Sequence, residues 1–154
     1  MSIFNFFKRS DIECPRCLGK GFVDWEDIVR LKRQLKWVPA PCAYCNATGK
    51  VEKEMLSKVA VDCVYLTIDL PESVIEKIKD GDPETIEKGR QRERFVDHII
   101  QYAEELYLKQ NMDAESIANL YLSTEEENAA FSVTKEELIK YFQGVIELKN
   151  SERN

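Results

Sequence analysis

Four cysteines, arranged as two Cys-x-x-Cys pairs, are the residues whose type and spacing indicate chemistry in this sequence. The first pair is Cys14 and Cys17, and the second is Cys42 and Cys45. Two residues between the cysteines let one tight turn point both sulfur atoms at a common centre, and two such turns supply the four thiolates that zinc prefers. We therefore predict one structural zinc ion in a closed site, which leaves no position open for catalysis.

Glycines after the cysteines support the same interpretation. Gly19 and Gly21 follow the first pair, and Gly49 follows the second. Glycine adopts positive φ angles that let the chain fold around an ion with its N–H groups aimed at the sulfur atoms. A single Cys-x-x-Cys pair is also typical of thiol redox proteins, and cysteines also bind iron–sulfur clusters. A second pair with a glycine after it favours zinc.

The two cysteine segments resemble a known zinc-binding repeat. Residues 14–21 read Cys-Pro-Arg-Cys-Leu-Gly-Lys-Gly, which resembles the Cys-x-x-Cys-x-Gly-x-Gly repeat of the DnaJ-type cysteine-rich zinc-finger domain; a similar pair of repeats occurs in anti-TRAP. Residues 42–49 keep both cysteines and the last glycine but have Ala47 in place of the first glycine. The resemblance implies a zinc site built from paired β-turns or hairpins, in which two repeats share one ion. DnaJ proteins carry four repeats, whereas this chain has two and no His-Pro-Asp tripeptide of a J-domain.

Other reactive residues do not form a catalytic set. His98 is the only histidine and lies in a predicted helix, so we expect a partly buried structural residue with no partner for proton relay. Cys63 is expected to be a small core residue. The sequence has no nucleophile elbow, Walker loop or dinucleotide-binding fingerprint. We therefore expect a protein that is not an enzyme.

Hydrophobic periodicity predicts the elements that carry these residues. Residues 24–38 have apolar side chains three and four positions apart, which predicts an amphipathic helix inserted between the cysteine pairs. Residues 58–70 are rich in β-branched residues and predict a partly covered strand. Further helices are predicted after Pro71, after Asp82 to about Gln110, after Asp113, and after Thr134, where Glu137 completes a capping box.

These elements predict an α+β fold with two domains. Residues 1–57 form a small DnaJ-type zinc-binding β-hairpin unit with a helical insert, and residues 58–154 form a strand followed by an acidic helical bundle. The charge changes at the same point: residues 1–58 carry 11 Lys and Arg against 7 Asp and Glu, a balance of +4, and the remainder has a balance of −10. Such an asymmetry suggests two units with different surroundings.

Composition indicates a folded, soluble protein of 154 residues. No stretch approaches the roughly 18 consecutive apolar residues of a membrane-spanning helix. Five cysteines without an export signal predict a reducing, cytoplasmic location. An N-terminal arm is expected to pack onto the protein or a neighbouring subunit, with a weak membrane anchor as the alternative; its apolar residues are Ile3, Phe4, Phe6 and Phe7.

Three functions remain open from the sequence. The leading hypothesis is a zinc-binding protein–protein interaction module, chaperone-like or a regulatory adaptor, with a protein or peptide partner and with self-association as an option. The second is a nucleic-acid-binding zinc finger that uses a basic surface and a stacking tryptophan, formed by Arg16, Lys20, Arg30, Lys32, Arg33 and Lys36 with Trp25 or Trp37. The third is a thiol–disulfide oxidoreductase that uses one of the cysteine pairs, which requires that pair to be free of metal.

Overall fold

The computed structural model describes residues 11–124 and 133–154. These residues form four short strands and six helices, and this mixed content agrees with the predicted α+β class. In chain order they are β1 (Asp11–Glu13), β2 (Phe22–Val23), α1 (Trp25–Arg30), β3 (Ala40–Pro41), β4 (Lys50–Glu52), α2 (Met55–Lys58), α3 (Glu72–Lys79), α4 (Pro83–Gln110), α5 (Ala114–Thr124) and α6 (Lys135–Arg153). The apolar N-terminal arm and the predicted acidic loop at 125–128 lie outside the described residues.

The strands pair in two antiparallel ladders that join the two cysteine segments. β1 precedes the first segment and pairs with β4, which follows the second; Ile12 lies opposite Val51. β2 follows the first segment and pairs with β3, which precedes the second; Val23 lies opposite Ala40. Each ladder therefore pairs a strand that flanks the first segment with a strand that flanks the second, so the ladders hold the two segments side by side.

The helix predicted over residues 24–38 is much shorter than expected, because α1 ends at Arg30. Lys32 adopts a φ angle of 59°. The N–H groups of Lys32 and Arg33 donate to carbonyls in the last turns of α1, with N···O distances of 3.1 and 2.9 Å. This pattern is a Schellman turn, which ends a helix. Apolar side chains keep a three-to-four-residue spacing after Arg30. They do so because the turns that follow α1 also bury one of their sides.

The strand predicted over residues 58–70 is not formed, and this prediction is wrong. Lys58 ends α2, and residues 59–70 form turns, in which the N–H of Cys63 donates to the carbonyl of Ala60. Six carbonyls between residues 59 and 66 instead accept hydrogen bonds from side chains of the cysteine-containing region. A strand requires a neighbouring strand as partner, and here side-chain donors take that role. We call residues 59–66 the strap.

The chain divides into two compact units, one up to Glu93 and the other from Arg94. The predicted domain boundary after residue 57 lies inside the first unit, because the strap packs into the same core as the cysteine segments. Large buried side chains of this core are Ile28, Trp37, Tyr44, Leu66, Ile75 and Ile78. We refer to residues 11–58 as the cysteine unit.

The second unit consists of the end of α4 together with α5 and α6. All three helices were predicted from the sequence. Thr134 begins α6 with the predicted capping box, in which its hydroxyl accepts from the N–H of Glu137 at 3.2 Å. Tyr121 makes edge-on ring contacts with Tyr102 and with Phe142. Within residues 11–124 and 133–154, no helix is long and apolar enough to cross a membrane.

Candidate metal centre

The structure brings together the four cysteines that the sequence predicts as metal ligands. The Sγ atoms of Cys14 and Cys42 are 3.9 Å apart, those of Cys17 and Cys45 are 3.8 Å apart, and all four lie within 4.8 Å of one another. Zinc at a Zn–S distance of about 2.3 Å gives a sulfur–sulfur separation of about 3.8 Å in a regular tetrahedron. All four are buried free thiols, so their spacing and burial fit a four-coordinate metal ion.

Backbone N–H groups point at the sulfur atoms in the same way in both turns. The N–H of Gly21 donates to Cys17 Sγ, and the N–H of Gly49 donates to Cys45 Sγ, each at 3.2 Å. Such hydrogen bonds stabilise the negative charge of a thiolate and orient the ligand. The two turns are thus built alike, with the second cysteine of each pair held by the glycine four residues later.

The glycines are required because the two turns approach each other closely. Gly21 and Gly49 have φ angles of 74° and 80°. A Cβ atom on Gly21 would overlap the carbonyl oxygen of Ala47, and one on Gly49 would overlap the carbonyl oxygen of Gly19. Ala47 itself has a φ of 62°, a left-handed conformation that is unfavourable for any residue with a Cβ atom. The second turn therefore keeps the backbone shape of the first despite its substituted glycine.

The thiols of the cluster differ in pKa, so they lose their protons one after another. The hydrogen bond between the Cys14 and Cys42 sulfur atoms lowers the pKa of Cys14 to about 5. The same hydrogen bond, together with burial, raises the pKa of Cys42, and burial raises the pKa of Cys17. The Cys14 thiolate therefore forms readily, whereas a bound cation has to displace protons from Cys17 and Cys42.

A buried arginine lies next to the sulfur cluster. Arg16, between the two cysteines of the first pair, is only 2 % exposed. Its guanidinium lies 4.4 Å from the ring centroid of Trp37 and 5.4 Å from that of Tyr44. Burial lowers the pKa of Arg16, and the negative charge of nearby cysteines opposes this shift. Four thiolates around a divalent cation carry a net charge of −2, so the arginine balances part of that charge.

A lysine from α3 reaches the same region. Burial lowers the pKa of Lys79, while the charges of Cys42 and Cys45 raise it. The Lys79 ammonium donates to the side chain of Asn46 at 3.1 Å, in the turn that follows the second cysteine pair. One cation therefore lies near each cysteine pair, Arg16 near the first and Lys79 near the second. Nearby positive charge suits a metal site made of thiolates.

The basic residues proposed for nucleic acid largely have internal roles. Arg16 and Trp37 are buried. Lys20 contacts the carboxylates of Asp24 and Asp27 at 2.6 and 2.9 Å. Other pairs are formed by Arg30 with Asp27, Arg33 with Asp62, and Lys36 with Glu93. Four of the proposed residues are nevertheless exposed, namely Lys20, Trp25, Arg30 and Lys32.

The two remaining candidates lie outside the cluster. Cys63 is buried in the strap and its pKa is raised by burial, as expected for a core residue. His98 is exposed on α4, which differs from the partly buried position we predicted. The internal roles of Arg16 and Tyr44 were not predicted; the available signal was their shared position immediately before the second cysteine of each pair.

Relatives do not supply a further guide to the site. No protein family, curated protein or solved structure matches this chain. The functional argument therefore depends on the geometry of the four sulfur atoms and on the surface around them.

Proposed function

We propose that this protein is a zinc-binding protein–protein interaction module, in which Cys14, Cys17, Cys42 and Cys45 hold one structural zinc ion. The observation that carries the proposal is the convergence of four buried sulfur atoms within 4.8 Å of one another. When bound, zinc supplies a fixed tetrahedral cross-link between the two turns and no reactive position. The resemblance to the DnaJ-type repeat supports the same metal and the sharing of one ion by two repeats.

The cysteine unit offers an apolar surface that a partner can use. Trp25 is 53 % exposed at the start of α1, and Val29, one helical turn later, is 44 % exposed on the same face. Phe22, opposite Pro41 in the β2–β3 ladder, is also exposed. Exposed aromatic and aliphatic side chains on a rigid frame are typical anchors of protein interfaces. We call Trp25 and Val29, which share one face of α1, the apolar surface, and Phe22 is a further exposed apolar residue just before α1 in the chain.

An extended apolar segment of another protein, flanked by acidic residues, is the partner that we infer. Its apolar side chains would contact the apolar surface, and its acidic residues would suit the +4 balance of residues 1–58. This partner chemistry fits either a chaperone-like protein or a regulatory adaptor, because both bind exposed segments of other chains.

Metal analysis tests the first part of the proposal. We expect one zinc per chain after purification without added metal, and replacement by Co²⁺ should give the absorption of a tetrahedral thiolate site. Cys45→Ser should lower zinc retention, whereas Cys63→Ser, outside the cluster, should leave it unchanged. A chain that binds no zinc, or that holds cobalt in octahedral coordination, contradicts the proposed site.

Binding to a labelled unfolded protein tests the second part. The double variant Trp25→Ser with Val29→Ser should weaken binding about tenfold or more, because it removes central apolar anchors. Leu120→Ser, at an exposed leucine of α5, is the matched control and should bind like the unaltered chain. Fluorescence anisotropy at several salt concentrations measures both affinities, and equal affinity of the double variant and the control would argue against the apolar surface.

A further inference from the structure

The strap is held by side chains of the cysteine unit rather than by a neighbouring strand. Arg16 donates to three of its carbonyls: Nη1 to Leu66 at 2.7 Å, Nε to Val61 at 2.8 Å and Nη2 to Cys63 at 3.0 Å. The other donors to strap carbonyls are the Tyr44 hydroxyl to Val59 at 2.7 Å, the Trp37 indole to Val64 at 3.1 Å and the Arg33 guanidinium to Asp62 at 2.9 and 3.0 Å. Hydrogen bonds from a charged donor are stronger than neutral ones, so Arg16 makes the largest contribution.

Arg16 and Tyr44 occupy equivalent positions in the two metal-binding turns. Each is the residue immediately before the second cysteine of its pair, and each side chain is buried and bonds to the strap. The Arg16 guanidinium also stacks on the Tyr44 ring. Because both residues lie between two ligands, the turn that holds the sulfur atoms also fixes where these donors point.

Two side chains of the strap, Cys63 and Leu66, are buried in the core of the first unit. Cys63 lies within the strap, and Leu66 at its end is completely buried. The N–H of Cys63 makes only a turn-type bond to Ala60, 3.1 Å long, so the local backbone provides little independent stability. Without the donors, the strap carbonyls would lose their partners inside the fold, and the strap would exchange them for water.

We propose that Arg16 and Tyr44 couple zinc occupancy to the position of the strap, so that loss of zinc releases the strap and uncovers the thiol of Cys63. The inference rests on the zinc site of the proposed function. Removal of the ion frees both turns, because four uncoordinated thiols no longer hold them together. The donors of Arg16 and Tyr44 then lose their fixed positions, and the strap opens. Cys63 thereby becomes a fifth reactive thiol whose accessibility reports the state of the metal site.

Comparison of the zinc-loaded chain with the same chain after chelation provides the first test. N-ethylmaleimide labelling with peptide mapping follows Cys63 separately from the four ligands, and hydrogen exchange follows the amides of residues 59–66. We expect Cys63 labelling and strap exchange to rise about tenfold or more after chelation. Unchanged protection of Cys63 while the four ligand thiols become reactive would overturn the inference. Zinc content is measured in the same samples, so absence of zinc counts against the proposed function and not against the coupling.

Variants distinguish the coupling between zinc and the strap from general unfolding of the cysteine unit. Arg16→Gln, loaded with zinc, should keep the metal but show faster strap exchange and faster Cys63 labelling. Tyr44→Phe removes a single hydroxyl and should produce a smaller increase of the same kind. Arg92→Gln, at an exposed arginine of α4, is the control and should match the unaltered chain.

The outcomes of these variants are decisive in either direction. An Arg16→Gln chain that holds one zinc and keeps the original protection of the strap would overturn the inference. Should Arg16→Gln fail to fold, Tyr44→Phe decides, because its hydroxyl can be removed without leaving a buried charge. A Tyr44→Phe chain with unchanged strap exchange and unchanged Cys63 labelling would then count as refutation.

Discussion

Ala47 and Gly49 illustrate at residue scale how the metal-binding turns constrain the chain. Both residues adopt positive φ angles, 62° and 80°, but only one of them is glycine. The left-handed conformation is unfavourable by roughly 1–2 kcal/mol for a residue with a Cβ atom. Ala47 tolerates it because its side chain is exposed, whereas at Gly49 the other turn leaves no space.

Ala47→Gly is expected to stabilise the zinc-loaded chain. Relief of the left-handed alanine exceeds the extra backbone entropy of glycine in the unfolded state, so the free energy of unfolding should rise by roughly 0.5–1 kcal/mol. Urea denaturation in the presence of excess zinc measures this change. Gly49→Ala is the counterpart and should lower the free energy of unfolding by more than about 2 kcal/mol, because it adds both strain and overlap. Destabilisation by Ala47→Gly would show that the turn is not strained.

Zinc binding is expected to weaken as the pH falls, because protons compete with the metal for the thiolates. The Cys14 pKa is lowered to about 5, so this residue is already ionised near neutral pH and releases no proton when zinc binds. The raised pKa values of Cys17 and Cys42 mean that these thiols do release protons. Calorimetry in buffers of different ionisation enthalpy should give fewer than four protons per zinc at neutral pH, rising toward four below about pH 5. A count that is independent of pH would contradict the assignment.

The sequence predicted the four cysteines that the structure brings together but not the residues that support them. The spacing of two Cys-x-x-Cys pairs constrains the sulfur positions almost independently of the rest of the fold, so Cys14, Cys17, Cys42 and Cys45 could be named from the sequence. The role of Arg16 could not, because an arginine is usually exposed and its position before the second cysteine does not indicate three carbonyl acceptors in a distant segment. The deciding information is long-range, since its partners lie 45 to 50 residues away.

At the scale of elements, local signals were sufficient wherever a helix had its own start signal. α4 and α6 begin where Asp82 with Pro83 and Thr134 with Glu137 predicted. The strand prediction for residues 58–70 was wrong because β-branched residues in alternation indicate only an extended, half-buried segment. A strand also needs a paired neighbour. α1 was predicted too long because a left-handed lysine, Lys32, has no strong sequence signature.

Thr134→Ala is expected to lower the free energy of unfolding by about 1 kcal/mol. The change removes the hydroxyl that accepts from the N–H of Glu137 and leaves that donor without its cap. Thermal or urea unfolding followed by the helix signal measures the effect. Thr134→Ser keeps the oxygen and should retain most of the stability, so equal losses in the two variants would exclude capping as the cause.

At the scale of the whole molecule, the two compact units have different sources of stability. The first contains the candidate metal centre, and the second has a helical core in which Ile117, Phe142 and Val145 are buried. Metal binding contributes directly to the folding free energy of a unit built around it, whereas apolar packing stabilises the second unit.

Chelation of zinc is therefore expected to affect the units unequally. Amides of residues 11–66 should lose protection from hydrogen exchange, while amides of α6 should keep theirs and most of the far-ultraviolet helix signal should remain. Phe142→Ala provides the opposite perturbation: it should destabilise the second unit by roughly 3–5 kcal/mol and leave the zinc content at one per chain. Simultaneous loss of protection in both units after chelation would contradict this separation.

The nested pairing of the strands has a consequence for how the proposed metal site assembles. Since β1 pairs with β4 and β2 with β3, the inner ladder joins the facing ends of the two cysteine segments and the outer ladder joins their far ends, so closing both ladders brings the four sulfur atoms together. We therefore expect capture of the proposed ion and closure of the outer ladder to stabilise each other. When zinc is scarce, the fraction of chains with a fully closed outer ladder should therefore follow the zinc supply.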